Sequence, residues 1–189
     1  MLRMGQEKVN VQLYYECLCP YCKDFDTTKL KPVVEKLASN LNVTLYPYGG
    51  ATTTPDGKGS YTFQCQHGPN ECYGNKLHAC AIDFLKNMTK AVFFNSCMME
   101  PSRTNDGSND KAADECGKSL NVDSEAIKQC AKGTKGSALL KYYGDETKKV
   151  GLRYVPYILI NGVETNQTNF MEHVCAAFKT PPPACAQIN

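Results

Sequence analysis

Three cysteines fall within six positions in the stretch ECLCPYCKDF, Glu16 to Phe25. Cys19 and Cys22 bracket Pro20-Tyr21 as a C-x-x-C, with Cys17 just upstream. Thiols at this spacing can hold a metal, staple a loop, or exchange disulfides with another molecule. A zinc site would draw on Cys17, Cys19, Cys22 and a distant Cys65 or His67. It would normally show a second C-x-x-C or paired-histidine knuckle, which this chain lacks, so no metal is expected. An inert structural pair asks nothing more of the chain. Disulfide exchange asks for one accessible, acidic sulfur and a second sulfur one helical turn deeper.

The flanking segments favour exchange. VNVQLYYE, Val9 to Glu16, alternates and then turns aromatic, as a strand does. Pro20 suits the first turn of a helix. Phe25, Leu30, Val33, Val34, Leu37 and Leu41 then recur at near-helical spacing over about twenty residues. Pro32 lies inside that pattern and is expected to kink it. The C-x-x-C thus sits where a strand meets a helix, and free N–H groups and the helix dipole there favour thiolate at Cys19. A second motif, Val155-Pro156, directly precedes the apolar strand YILING. In thioredoxin-like folds an X-Pro at that place is cis and packs beside the C-x-x-C, leaving an extended backbone edge for a substrate strand. Cys19 is therefore assigned as attacking thiol and Cys22 as resolving thiol. Pro20, Tyr21, Val155 and Pro156 are assigned to substrate contact, with plain packing the alternative for the dipeptide.

The remaining elements supply the frame. NVTLYPYGG reads as a second strand, and residues 50–64 as a polar loop. Leu77, Ala81, Ile82 and Leu85 mark one helix; Ala126, Ile127 and Cys130 mark another, capped by Asp123 or Ser124. Leu139, Leu140, Tyr143 and Val150 mark a third, which Gly144 threatens to interrupt. RYVPYILINGVET is a strand, an Asn161-Gly162 hairpin turn and a short strand, and NFMEHVCAAF closes as a helix. With residues 65–132 removed, the order is β-α-β followed by α-β-β-α. The fold expected is α/β and thioredoxin-like: a core of 8–64 and 133–178, a cysteine-rich, mostly helical insertion at 65–132, and a C-terminal tail at 179–189.

Composition bounds the setting. The 189 residues suit one medium domain with an insertion, and 42% hydrophobic content supports a packed core. A net charge of +2 without a basic run argues against nucleic acid, and no apolar stretch reaches the roughly 20 residues of a bilayer span. Eleven cysteines indicate an oxidising compartment. Sequons at Asn42, Asn87 and Asn166 point the same way, as candidate glycosylation sites in a secretory-route protein. MLRMGQEKVN has no apolar core, so no signal peptide is read in this sequence.

One segment is specific. CQHGPNECYGNKLHAC, Cys65 to Cys80, resembles the C-Q-H-G-x-x-E-C-x-x-N-x-x-x-x-C signature of the gamma-interferon-inducible lysosomal thiol reductase family. Cys65, Gln66, His67, Gly68, Glu71, Cys72, Asn75 and Cys80 all match, and YYECLCPYC and YVPYILING are also similar to that family. The resemblance runs from about Val9 to Cys185. It implies a glycoprotein oxidoreductase of the endosome and lysosome, also secreted, that reduces disulfides of internalised proteins at acid pH and serves immunity. The carried-over catalytic pair is Cys19 and Cys22. Family members often have a small residue where this chain has Cys17, which leaves that thiol either a bystander or a competitor.

Apart from Cys17, Cys19 and Cys22, eight cysteines remain: Cys65, Cys72, Cys80, Cys97, Cys116, Cys130, Cys175 and Cys185. Four structural disulfides are expected, and proximity suggests Cys116–Cys130 and Cys175–Cys185 among them. His67 reads as a hydrogen-bonded scaffold residue or a proton shuttle, His78 and His173 as ordinary helix residues, and Glu16 as a solvated strand end or an aid to proton transfer near Cys22. No nicotinamide or flavin motif is present, so no bound cofactor is expected and electrons would come from small thiols such as cysteine or glutathione. The partners expected are disulfide-containing proteins. The rival readings are a glutaredoxin or DsbA-like oxidase, and a disulfide-stapled binding module without turnover.

Overall fold

The computed structural model of the chain describes residues 6–187. The first five residues of the segment read as lacking a signal peptide, and the last two of the tail, lie outside that range. Strand β1 (Val9–Tyr15) pairs parallel with β2 (Leu41–Pro47) and antiparallel with β5 (Tyr157–Ile160), which pairs antiparallel with β6 (Val163–Thr165). The sheet order β2-β1-β5-β6 is that of a thioredoxin-like core. Alternation along β1 divides its side chains between two faces. Val9, Val11, Leu13 and Tyr15 join one apolar cluster with Phe25, Leu30 and Leu37. Tyr14 points the other way, stacked on Tyr46 at 4.2 Å, among Tyr48, Leu140 and Tyr143.

Between β1 and β2 the chain runs through α1 (Pro20–Phe25), a π turn (Asp26–Leu30) and α2 (Lys31–Leu37). The irregularity expected at Pro32 falls one turn earlier. Pro32 has no N–H for the carbonyl of Thr28, and the widened turn absorbs that gap. Thr27 and Thr28 hydroxyls donate to the carbonyls of Lys23 and Asp24, both at 2.7 Å, within the same stretch. Inside this turn Asp26 is buried, and neither of its carboxylate oxygens has a hydrogen-bond partner.

The stretch read as a polar loop at 50–64 is in part a hairpin. β3 (Thr52–Pro55) pairs antiparallel with β4 (Tyr61–Gln64), and the Asp56 carboxylate closes the turn by accepting N–H bonds from Lys58 and Ser60. Gly57 and Gly59 disguise the two short strands in the sequence, whereas the β-branched threonines form one of them. Helices α3 (Pro69–Leu85), α4 (Met88–Met98), α5 (Asp110–Leu120) and α6 (Ser124–Lys132) share a cluster of their own around Leu77, Phe94, Ala113 and Ile127. Asp123 caps α6, its carboxylate accepting the Ala126 N–H at 3.2 Å. Helix α7 (Thr134–Val150) runs unbroken through Gly144, where a Cβ would lie 2.5 Å from the Tyr48 ring. That glycine serves helix-to-strand contact rather than a break. The chain closes with α8 (Phe170–Ala176).

The disulfides are Cys65–Cys72, Cys80–Cys130, Cys97–Cys116 and Cys175–Cys185. The Cys116–Cys130 pair suggested by proximity does not form: both cysteines reach across to other helices, Cys116 to α4 and Cys130 to α3. Sequence distance misleads here because antiparallel helix packing brings remote turns together. Cys80–Cys130 spans 50 residues, for which loop closure is worth about 4 kcal/mol.

Candidate active site

Cys19 caps α1, with extended backbone at φ −66° and ψ 123°. Its N–H donates to the Glu16 carbonyl at 3.3 Å, and its own carbonyl accepts the Lys23 N–H at 2.9 Å. This places the sulfur at the first free turn of the helix. Cys22 lies one turn deeper and is almost fully enclosed (1% exposed), whereas Tyr21 projects outward (70% exposed) and Pro20 is also exposed. Both thiols are free.

The two sulfurs have opposite electrostatics. The Cys22 thiol, directed at Cys19, is the main stabiliser of the Cys19 thiolate, helped by the N–H groups of Cys22 and Tyr21. Partial burial and the Glu16 charge oppose them, and the Cys19 pKa is pulled down to about 6. Burial, then the hydrogen bond to Cys19, pushes Cys22 far above the ordinary thiol range. At pH 5 a thiol with a pKa of about 6 is ionised in roughly one molecule in ten, against about one in three thousand for an unperturbed thiol. Titrating the thiolate absorbance of the reduced protein should give one step with a midpoint near 6. A midpoint above about 7 would remove the acid chemistry.

Cys17 is no competitor. Its thiol is fully buried, lies 3.6 Å from the Glu71 carbonyl and is packed against Gly74. Burial raises its pKa well above the usual range. The Val155–Pro156 bond is cis, and Val155 packs against the apolar cluster that includes Cys19 and Cys22. A pocket of about 340 Å³ flanks the C-x-x-C, lined by Leu18, Pro20, Lys23, His67, Pro101 and Asp106.

The Cys65–Cys80 segment wraps onto this site. The Cys65–Cys72 disulfide clasps its turn. Asn75 Oδ1 accepts the Cys17 N–H at 3.1 Å, fixing the strand end that leads to Cys19. Glu16, expected at the surface, is buried. Its Oε2 accepts the Gly50 N–H at 2.8 Å, and the Gln66 amide, turned with its NH2 toward the carboxylate, donates at 2.8 and 3.0 Å. Gly49 adopts φ +62°, and a Cβ there would lie 2.2 Å from Glu16 Cγ, so only glycine leaves room for the carboxylate. Glu71, also buried, accepts the His67 N–H at 3.1 Å through Oε1. The His67 ring Nδ1 lies 2.6 Å from Glu71 Oε2 and 3.4 Å from Glu16 Oε1. Among the described residues, Glu16, His67 and Glu71 are the group that could hold a metal, their ligand atoms lying within 4.8 Å of one another. No cysteine belongs to it.

His78 is not the ordinary helix residue the sequence suggested. It is buried, with Nδ1 2.7 Å from the Tyr15 hydroxyl and Nε2 2.9 Å from Ser108 Oγ, and burial lowers its pKa to about 3. It stays neutral and ties β1 to the segment before α5. Its i, i+3 and i, i+7 spacing from Asn75 and Glu71 was the available signal, since all three face the redox strand. His173 stays on α8, at the edge of a surface pocket near β6. Asn42, Asn87 and Asn166 are exposed, and the Asn87 Oδ1 caps α4 while leaving its amide nitrogen open.

Comparison with known proteins follows the same line. Residues 10–120 match the family model described as gamma interferon inducible lysosomal thiol reductase. The chain is 34% identical over 202 residues to the gamma-interferon-inducible lysosomal thiol reductase-like protein of Anopheles gambiae, covering 97% of this chain and 83% of that one. It is 34% identical over 197 residues to the gamma-interferon-inducible lysosomal thiol reductase of Carassius auratus, covering 98% and 75%. Among solved structures, the reduced disulfide bond oxidoreductase DsbG of Mycobacterium tuberculosis is similar in fold, with a TM-score of 0.66 at 16% identity over 99% of this chain and 88% of that one.

Proposed function

The chain belongs to the gamma-interferon-inducible lysosomal thiol reductase family, and from that premise we propose that Cys19 and Cys22 reduce protein disulfides in an acidic endocytic compartment or after secretion. It is a thiol–disulfide oxidoreductase of thioredoxin-like fold. The biological service would be to open disulfide-bonded proteins for degradation and immune processing.

The chemistry balances within the pair. The Cys19 thiolate attacks one sulfur of the substrate disulfide, that S–S bond breaks, and the other substrate sulfur leaves and takes a proton. Cys22 gives up its proton and attacks the Cys19 sulfur of the mixed disulfide. The substrate departs with its second thiol, and the enzyme is left with a Cys19–Cys22 disulfide. Two electrons have passed to the substrate. Two molecules of a small thiol, such as cysteine or glutathione, restore the dithiol and leave as their own disulfide. The substrate backbone would run along Val155 and Pro156, with Pro20 and Tyr21 against its flank. Glycans at Asn42, Asn87 and Asn166 would lie on exposed surface.

The observation that carries this reading is the contrast between the sulfurs: Cys19, 7% exposed at the helix end, has a pKa of about 6, and Cys22, 1% exposed, lies enclosed behind it. Insulin reduction across pH 4 to 8 tests it. Measurable turnover at pH 5 is expected. Turnover confined to neutral pH would defeat the acid setting, and none at any pH would favour a non-catalytic binding module.

A further inference from the structure

We propose that Glu16, His67 and Glu71 form a divalent-cation site, suited to zinc, at the rim of the pocket beside the C-x-x-C. The donors come from three places: the end of β1, the turn ahead of α3 and the first turn of α3. The fold aims all three at one point.

The two carboxylates are arranged alike. One oxygen of each is held by a backbone N–H, Glu16 Oε2 by Gly50 and Glu71 Oε1 by His67. The other oxygen of each, Glu16 Oε1 and Glu71 Oε2, faces the His67 Nδ1, and Glu16 Oε1 also accepts the Gln66 amide at 3.0 Å. Outer hydrogen bonds that fix a ligand's orientation are a mark of metal sites, and a carboxylate oxygen that accepts one of them keeps a second lone pair for an ion. Glu71 Oε2 is buried without a hydrogen bond. Beside it lies the His67 Nδ1, 2.6 Å away, so nitrogen and oxygen face one shared volume.

Charge points the same way. Buried carboxylates must be protonated, paired or bound to a metal. Here two of them share one half-exposed histidine. Lys23, the cation in the adjoining pocket, is engaged with the Asp106 carbonyl at 2.8 Å. A divalent ion would neutralise the pair. Tetrahedral zinc with ligands at about 2.1 Å separates neighbouring donors by about 3.4 Å. The 3.4 Å between Nδ1 and Glu16 Oε1 already fits. The 2.6 Å contact with Glu71 must open by under about 1 Å, which rotation of the His67 ring provides. Three protein ligands leave a coordination position free.

The test uses the oxidised protein, in which Cys19 and Cys22 are bonded and cannot chelate. Calorimetric titration with zinc chloride at pH 7.5 should show one ion per chain. His67→Gln, a change at a half-exposed side chain, should weaken that uptake at least about tenfold, and Glu71→Gln should do the same. Circular dichroism matching the parent and a single cooperative melt would establish that each variant is folded. The absence of one-to-one uptake in the unaltered chain overturns the proposal, and so does uptake that survives His67→Gln. Because no disulfide reduction is measured, this outcome and that of the reductase reading can be told apart.

Discussion

Replacing Cys19 by Ser will lower insulin reduction at least about a thousandfold at every pH, because a hydroxyl at this helix end cannot supply the attacking anion. Cys22→Ser should behave differently. Cys19 keeps its place at the helix end and still attacks, but nothing resolves the mixed disulfide, so the variant should accumulate covalently attached substrate on non-reducing gels. The Cys22 thiol is also the main stabiliser of the Cys19 thiolate. A serine hydroxyl donates in its place, so the Cys19 thiolate midpoint should rise by less than in Cys22→Ala. A Cys19→Ser protein that still reduces insulin, or a Cys22→Ser protein that traps nothing, would return the C-x-x-C to an inert structural pair. Cys17 offers no escape route, being sealed beneath α3.

The second large effect is on stability and comes from Asp26. Burial lifts its carboxyl pKa from 3.8 to about 7. The Glu100 charge pushes it further up, and the Lys31 charge pulls it down. Tyr15, on the strand beneath, stays neutral. Between about pH 4 and 7 the folded chain therefore keeps a proton that the unfolded chain has released. The stabilisation is complete below the unfolded pKa and is lost as pH rises through the folded one, by up to about 4 kcal/mol. Glu16 and Glu71, also raised by burial, add to the same slope. Asp26→Asn should make the protein more stable than the parent at pH 7.5, leave it little changed at pH 4.5 and flatten the curve between. Urea melts at the two pH values decide it; parallel slopes in parent and variant would mean Asp26 does not control acid stability. His78, held neutral by burial with a pKa of about 3, works the other way: its contribution is present above about pH 6.5 and is lost as pH falls toward 3, so the part due to Asp26 is isolated by comparing parent with variant rather than read from the parent alone.

Chemistry that rests on neighbours along the chain is legible in the amino-acid order. C-P-Y-C after an alternating strand and before a proline-started helix places one sulfur at a helix end, whatever the rest does. The Asn161-Gly162 turn, both residues at positive φ, was legible for the same reason. So was the cap at Asp123, and the Cys65–Cys80 segment identified the family outright.

Tertiary structure alone decided what lies opposite what. Nothing local says that Cys116 meets Cys97 while Cys130 meets Cys80, because helix packing sets those distances. Nor does Glu16 announce its burial: a carboxylate at a strand end is normally solvated, and only the loop at Gly49-Gly50 and the turn at Gln66-His67 close over it. Desolvation is a property of the assembled surroundings. The shifted acidity of Asp26, the neutrality of His78 and the converging Glu16, His67 and Glu71 therefore appear only once distant segments have packed together.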